Sequence, residues 1–360
     1  MNVAIIGCGN VGVSIAADLS IRGHNVSLIK TSFPNGPVFD RLLEKKRILI
    51  KENGTYSTGI IGNISHDLCS VSDSDMVILT TQSTYHDRVI GDMGKYLRKN
   101  QTVVCICSYM SSFYFMKHCY ELPVIVETTG PYLEGRTDVC DIPEEVVFRV
   151  GCRLSKVPVS LFNSCDPCET MRKIQELYPG FVYEYNTIES ALLNPNMVLH
   201  TVGSIMSIPR IEYSDGDFCM YREAYSRKNK SIVRLMMALD KEKMDVLKSL
   251  RCKPVDILTA SGFLGDKVES FYKYSESEDR AKSPSSVMSR YITEDVPQGL
   301  VLMESIASRA GVSVPIASSL INISGAALGC DFRSTGRTLA RLGATGFIDS
   351  IIDNAHECPE

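Results

Sequence analysis

Several groups of residues have the types and spacing that chemistry needs. Gly7-Cys8-Gly9-Asn10-Val11-Gly12 follows directly on the apolar run Val3-Ala4-Ile5-Ile6. In a Gly-x-Gly-x-x-Gly turn the first glycine permits the bend and the second lets a pyrophosphate approach the backbone. The third lets the next helix close on the strand. The amides of Asn10, Val11 and Gly12 then open a helix, and a helix N-terminus favours an anion. A tight strand-to-helix turn with no ligand is the plainer alternative. Further on, Leu28-Ile29-Lys30-Thr31-Ser32 ends a second apolar run without an acidic residue. An acid at that place would bond the ribose hydroxyls of NAD, whereas the charge of Lys30 and the hydroxyls of Thr31 and Ser32 suit a 2′-phosphate. This favours NADP(H), with NAD as the alternative; a merely solvated strand end is the bland reading. His200 and Asp295 are titratable residues in apolar, helix-like surroundings. A lone histidine there is either a satisfied core residue or an acid–base group. Pro297 suits the first turn of a helix, so Asp295 alone could serve only the helix dipole.

The elements around these residues alternate. Val3 to Ile6, Asn25 to Ile29, Asp75 to Thr81, Thr102 to Cys107 and Pro123 to Glu127 are short apolar runs of the kind that form buried parallel strands. Helical patterns follow the glycine turn and recur near 85–98 and 112–120. A Rossmann-type, doubly wound and mostly parallel sheet is expected. Asn53-Gly54 between Arg47–Lys51 and Tyr56–Ile61 signals a hairpin. The stretch 136–165 alternates, with Val146–Val150 its clearest strand. From about 186 the texture turns helical, over 218–228, 230–250 and 297–310. Ile232, Leu235, Met236, Leu239, Met244 and Leu247 fall on one face, which could serve the core or a homodimer. Lys273–Ser286 is polar and has the composition of a loop. The expected division is a dinucleotide-binding domain over 1–185 and a helical substrate domain over 186–360.

Composition excludes several classes. The chain has 360 residues with a net charge of -4, which is enough length for two or three domains and lacks the basic field of a nucleic-acid binder. No apolar stretch approaches the roughly 20 residues of a membrane-spanning helix, and the start does not read as a signal peptide. Thirteen cysteines, an odd number at irregular spacing, point to reduced thiols in a cytoplasmic protein. Cys165 and Cys168 form a Cys-x-x-Cys pair with no obvious helix behind a buried strand. No second pair completes a zinc set, although Cys140 and Cys152 can be imagined as partners, and no metal is expected.

Taken together, the motifs resemble the octopine/nopaline (opine) dehydrogenase family. The resemblance rests on the glycine turn with Asn10 and on Glu127-Thr128-Thr129-Gly130-Pro131-Tyr132 with Arg136. It rests further on Asn194-Pro195 with His200, on Arg290-Tyr291 with Glu294-Asp295-Val296-Pro297 and Gly299-Leu300, and on Gly336-Arg337-Thr338-Leu339-Ala340-Arg341-Leu342-Gly343. It runs over almost the whole chain in order. The Lys30-Thr31-Ser32 end differs from the acidic residue of NAD-dependent members, and 45–64 and 273–286 have no counterpart.

The resemblance implies a catalytic dyad of His200 and Asp295. It implies a reductive condensation in which an amino acid or amine joins an α-keto acid and the resulting imine accepts a hydride from the cofactor. A neutral imidazole can take a proton from the incoming ammonium and return one to the departing oxygen, while Asp295 holds its tautomer. Both substrates carry carboxylates, for which Arg290 is the expected bidentate clamp, with a surface arginine as the alternative. Glu127 to Arg136 is expected at the carboxyl end of a sheet strand, where Thr129 or Arg136 would contact substrate. Two other functions fit the glycine turn. A two-domain 2-keto or 3-hydroxy acid dehydrogenase would need no amine and usually employs a lysine. A sensor of NADP(H) would bind without turnover.

Overall fold

Val3-Ala4-Ile5-Ile6 is apolar on both faces because its strand is covered on both faces. The computed structural model describes residues 1–140, 145–278, 280 and 282–357, with the side chains of Cys140 and of 354–357 outside the description. The chain divides into two units, Met1–Ser190 and Ala191–Glu360.

The first unit contains β1 (Asn2–Ile6), β2 (Asn25–Ile29), β3 (Arg47–Glu52), β4 (Thr55–Ile60), β5 (Asn63–Ser65) and β6 (Met76–Leu79). It continues with β7 (Thr102–Ile106), β8 (Val124–Thr128), β9 (Leu133–Cys140), β10 (Glu145–Arg153), β11 (Val157–Phe162) and β12 (Phe181–Tyr185). Eight strands form the main sheet in the order β12-β11-β8-β7-β6-β1-β2-β5. Every pair in it is parallel except β8 with β11. The mostly parallel, Rossmann-type sheet expected from the sequence is therefore present. The order reverses at β1, between β6 and β2, and that reversal is where open α/β sheets leave a crevice for ligands.

Asn53 and Gly54 both take positive φ, 50° and 81°, and Glu52 pairs with Thr55. This is the two-residue hairpin the dipeptide signals. The hairpin does not stand alone. With β9 and β10 it makes a four-stranded sheet, β4-β3-β10-β9, that packs on the helix Asn10–Ile21. Gly59 makes the approach possible, since a Cβ there would lie 2.7 Å from the Ala17 carbonyl oxygen. Arg153 pins the layers by donating to Asp18 and Glu52, and the Tyr132 hydroxyl donates to Asp18 at 3.0 Å. Asp18 is nearly buried, so these partners offset its desolvation.

Among the described residues of the second unit every regular element is a helix. The helix Lys230–Ser249 buries Val233, Met236, Leu239, Val246 and Leu247, so most of its apolar face is core within this unit. Ile232, Leu235 and Met244 are only half-buried. The expectation of a loop over 273–286 is corrected at its start: Lys273–Glu276 closes the helix Lys267–Glu276, with the Asp266 side chain capping its first turn. Residues 279 and 281 in that stretch lie outside the description. Among the described residues no helix is long and apolar enough to cross a membrane.

Candidate active site

In the first unit, β8, β7, β6, β1 and β2 are neighbours and run parallel. The residues that follow their carboxyl ends therefore line one edge: Thr129, Cys107, Thr80, Gly7 and Lys30. Gly7 takes a φ of +118°, and a Cβ on it would meet the Thr80 hydroxyl at 2.7 Å. Thr80 itself donates to the carbonyl oxygens of Ile6 and Gly7, at 3.0 and 3.2 Å. A Cβ on Gly12 would fall 1.9 Å from the Gly7 carbonyl oxygen, so only glycine lets the helix Asn10–Ile21 close on the turn. Gly9 is different. A Cβ there would meet nothing within 4 Å, which leaves open space over the turn. Gly9 is also the N-cap of the helix, with no side chain capping it. The first amides thus face outward without an intrahelical acceptor, as an anion site requires. Partial burial pushes the Cys8 thiol up to about 12, so Cys8 stays a neutral filler of the turn. The Asn10 side chain looks the other way: its Oδ1 accepts the Thr137 amide at 2.9 Å and ties the helix to β9.

At the end of β2 the Lys30 ammonium reaches the Ser32 hydroxyl at 2.5 Å, with Thr31 between them. The segment Lys30–Asn35 holds no carboxylate. His66, which the sequence reading passed over, braces it. One ring nitrogen donates to the Lys30 carbonyl at 2.8 Å, the other bonds Asn35 Oδ1 at 2.7 Å, and Phe33 stacks on the ring at 4.2 Å. Behind β7, Cys107, Tyr109 and Met110 take left-handed φ of 55°, 49° and 63°. A buried network holds them: Ser111 donates to the Ser108 carbonyl at 2.5 Å and meets His86 Nδ1 at 2.7 Å.

Thr129 sits just beyond β8, half-buried. Arg136 does not share that place. It lies within β9, exposed and opposite Arg149, because the chain turns into the second sheet at Leu133. Contrary to expectation, the Cys-x-x-Cys pair does open a helix behind a sheet strand. Strand β11 is followed by Cys165 and Cys168 at the opening of the helix Pro167–Leu177, whose N-cap Asp166 bonds the Glu169 amide. Both are free, exposed thiols, and among the described residues no group of three or more His, Cys, Asp or Glu could hold a metal.

In the second unit, His200 lies on the helix Asn196–Ile205, buried from Met197 to Ile205. Its Nδ1 donates to Asp295 Oδ2 at 2.8 Å, with side-chain exposures of only 6% and 3%. The carboxylate can only accept, so Nδ1 carries the proton and Nε2 the lone pair. Burial lowers the pKa of His200 below the usual imidazole value; the hydrogen bond and charge of Asp295 oppose the shift, and Arg290 adds to it. Asp295 is not at the start of a regular α-helix. It opens a π-helical turn, Asp295–Leu300, between Arg290–Thr293 and Val301–Arg309. Pro297 in a regular helix would clash with the carbonyl one turn back, and the wider turn relieves that clash. The Pro297 carbonyl instead accepts the Arg337 amide at 2.8 Å, and the buried Arg337 guanidinium donates to Gln298 Oε1 at 3.0 Å. Gly336 allows this contact, since a Cβ there would meet the Pro297 carbonyl oxygen at 2.7 Å. The Gly336-Arg337 motif thus buttresses the turn that presents Asp295. Arg290, 44% exposed, sits 3.7 Å from Glu294. Tyr291 stacks flat on the His200 ring. Arg337 and Tyr291 both stood inside the quoted motifs, but no spacing rule pointed to their contacts.

Residues 184–328 match the family model described as NAD/NADP octopine/nopaline dehydrogenase, alpha-helical domain. Residues 3–108 match that of ketopantoate reductase PanE/ApbA. The chain is 20% identical to the opine dehydrogenase of Arthrobacter sp. (strain 1C), over 98% of each chain. A solved structure of octopine dehydrogenase with NADH and agmatine superposes with a TM-score of 0.75 at 18% identity, covering 98% of each. NADP+-bound yersinopine dehydrogenase gives 0.71 at 11%, covering 98% of this chain and 99% of the other. In its helical part the chain thus matches the octopine/nopaline dehydrogenase model, and over nearly its whole length it is similar to opine dehydrogenases.

Proposed function

We propose that this oxidoreductase joins an amino acid or amine to an α-keto acid and reduces the resulting imine at the expense of NADPH, with NADH as the alternative donor. The observation that carries the proposal is the buried His200–Asp295 pair at 2.8 Å, held by the segments that resemble the family. A bound nicotinamide supplies the hydride. The rest falls to the chain's own groups. The uncapped helix start at Gly9–Gly12 would hold the pyrophosphate, with Lys30, Thr31 and Ser32 around a 2′-phosphate. His200 stays neutral near pH 7 because burial lowers its pKa, so Nε2 can take a proton from the substrate ammonium. The free amine then attacks the keto carbon; the imidazolium returns its proton to the new alkoxide, and a second proton, shed by the attached nitrogen, lets that oxygen leave as water and leaves a protonated imine. Asp295 keeps the proton on Nδ1 and offsets the charge on the ring between these steps. Arg290, on the same segment, is the proposed partner of the keto acid carboxylate, and Thr129 a further contact to substrate. The exposed place of Arg136 within β9 gives it weaker support.

The match of residues 3–108 to the ketopantoate reductase model favours one second reading, reduction of a keto acid without an amine. A screen of NADPH oxidation across pyruvate, 2-oxoglutarate and glyoxylate, each with and without a panel of amino acids and amines, separates the two. Oxidation that requires both partners is expected. Oxidation with keto acid alone would establish the second reading, and tight NADPH binding without turnover would point to a sensor.

A further inference from the structure

A single hydrogen bond to Asp295 leaves the His200 imidazole free to pivot about that bond. The ring of Tyr291 removes the freedom: the two ring centroids are 3.7 Å apart and the planes are inclined by 6°. Neutral aromatic rings prefer offset or edge-on contacts to a flat sandwich. A flat stack at this distance gains most when one ring is cationic, because a phenol face attracts positive charge. Tyr291 precedes Asp295 by four residues, so one short segment supplies both the hydrogen-bonding edge and the covering face.

We propose that Tyr291 is a positioning residue for His200: its ring fixes the imidazole plane so that Nε2 keeps one direction, and its face stabilises the imidazolium that forms during proton transfer. The inference rests on the reading of His200 as the acid–base group. Two charged groups act on the ring itself. Asp295 favours the protonated ring and Arg290 opposes it, while Glu294 lies beside Arg290. The helices Ile208–Ser214, Met220–Ala224 and Lys230–Ser249 pack on the His200 helix. On the first two, Arg210 pairs with Glu223 and Arg222 donates to the Ser277 carbonyl. On the third, buried Asp240 pairs with Lys243, and Glu242 accepts the Ile316 and Ala317 amides. The helix Pro315–Leu328 brings no charged side chain.

The test is an NMR titration of the His200 ring in the full chain without substrate, its signal assigned by loss in His200→Asn, alongside steady-state kinetics. In Tyr291→Phe, which keeps the ring, both the titration and kcat should stay close to those of the parent. In Tyr291→Leu the His200 pKa should fall and kcat should drop about tenfold, the order of a buried cation–π contact, with NADPH affinity unchanged. If Tyr291→Leu fails to fold by circular dichroism, Tyr291→Met removes the ring at closer volume and carries the same expectation. A ring-free variant with the parental titration and kcat overturns the proposal, and so does a Phe variant as impaired as the ring-free one. The titration needs no turnover. If the parent reduces no amine and keto acid pair, the reading of the reaction fails while the titration still decides the role of Tyr291.

Discussion

His200 donates through Nδ1 to Asp295 across 2.8 Å, although the two residues stand 95 positions apart in the chain. That bond leaves the lone pair on Nε2, the nitrogen that on the proposed reading exchanges protons with substrate. In Asp295→Asn the side chain keeps its shape and loses its charge, and either end of the amide can face the ring. The wrong tautomer then becomes accessible and the imidazolium loses its counter-charge. We expect kcat to fall by about a hundred- to ten-thousand-fold, with the NADPH dissociation constant, read by fluorescence titration, unchanged. Parental turnover in Asp295→Asn would remove Asp295 from the mechanism.

On the proposed reading, Lys30 sets the cofactor preference. A charge-assisted bond to a phosphate is worth about 1.5–3 kcal/mol, so Lys30→Ala should raise the KM for NADPH by roughly ten- to a hundred-fold and leave that for NADH nearly unchanged. The comparison begins with the parent. A strong preference of the parent enzyme for NADH would overturn the 2′-phosphate assignment without touching the glycine turn.

Much of this architecture was legible because local signals and tertiary demands agree. Val3–Ile6 is apolar throughout, and it is a buried strand between two parallel neighbours. Asn53-Gly54 makes the turn that its positive φ values require. The His200 and Asp295 segments were legible as a resemblance, whereas their meeting is a tertiary fact. Elsewhere several rules competed. Pro297 looked like a first helical residue, and it sits inside a π-turn because Gly336 and Arg337, forty residues on, accept the widened backbone. Asp166-Pro167, between the two cysteines of the Cys-x-x-Cys pair, is an N-cap and first-turn pair that opens a helix the cysteine pattern by itself does not signal. The stripe on Lys230–Ser249 was apolar enough for either a core or an interface, and periodicity cannot distinguish the two.

The second and third glycines of the turn should fail in different ways. A Cβ on Gly12 would sit 1.9 Å from the Gly7 carbonyl oxygen, and one on Gly9 would meet nothing within 4 Å. Gly12→Ala should therefore lower the melting temperature, because backbone must move against backbone. Gly9→Ala should melt like the parent, yet bind NADPH at least about tenfold more weakly, since its methyl occupies the space a pyrophosphate would enter. Equal melting temperatures and equal affinities in both variants would mean the turn is only a structural bend.

The burial of His200 also makes stability depend on pH, in a direction that can be worked out. Its folded pKa lies below the ordinary value of 6.5, chiefly through desolvation. Between the folded and unfolded values the unfolded chain binds more protons, so acid favours unfolding there. The contribution is fully present above 6.5 and is lost as the pH falls from that value towards the folded pKa. His24 shifts in the same direction, with desolvation again the largest cause, and must be separated from it. Urea midpoints at about pH 7.5 and about pH 5.5, on either side of the usual imidazole value, should differ in the parent protein. The difference should shrink in His200→Asn and less so in His24→Asn, whose ring is the less buried of the two. If His200→Asn lowers both midpoints and leaves the difference between them unchanged, the imidazole at 200 is not held neutral by its surroundings, and its assignment as a base near pH 7 loses its physical support.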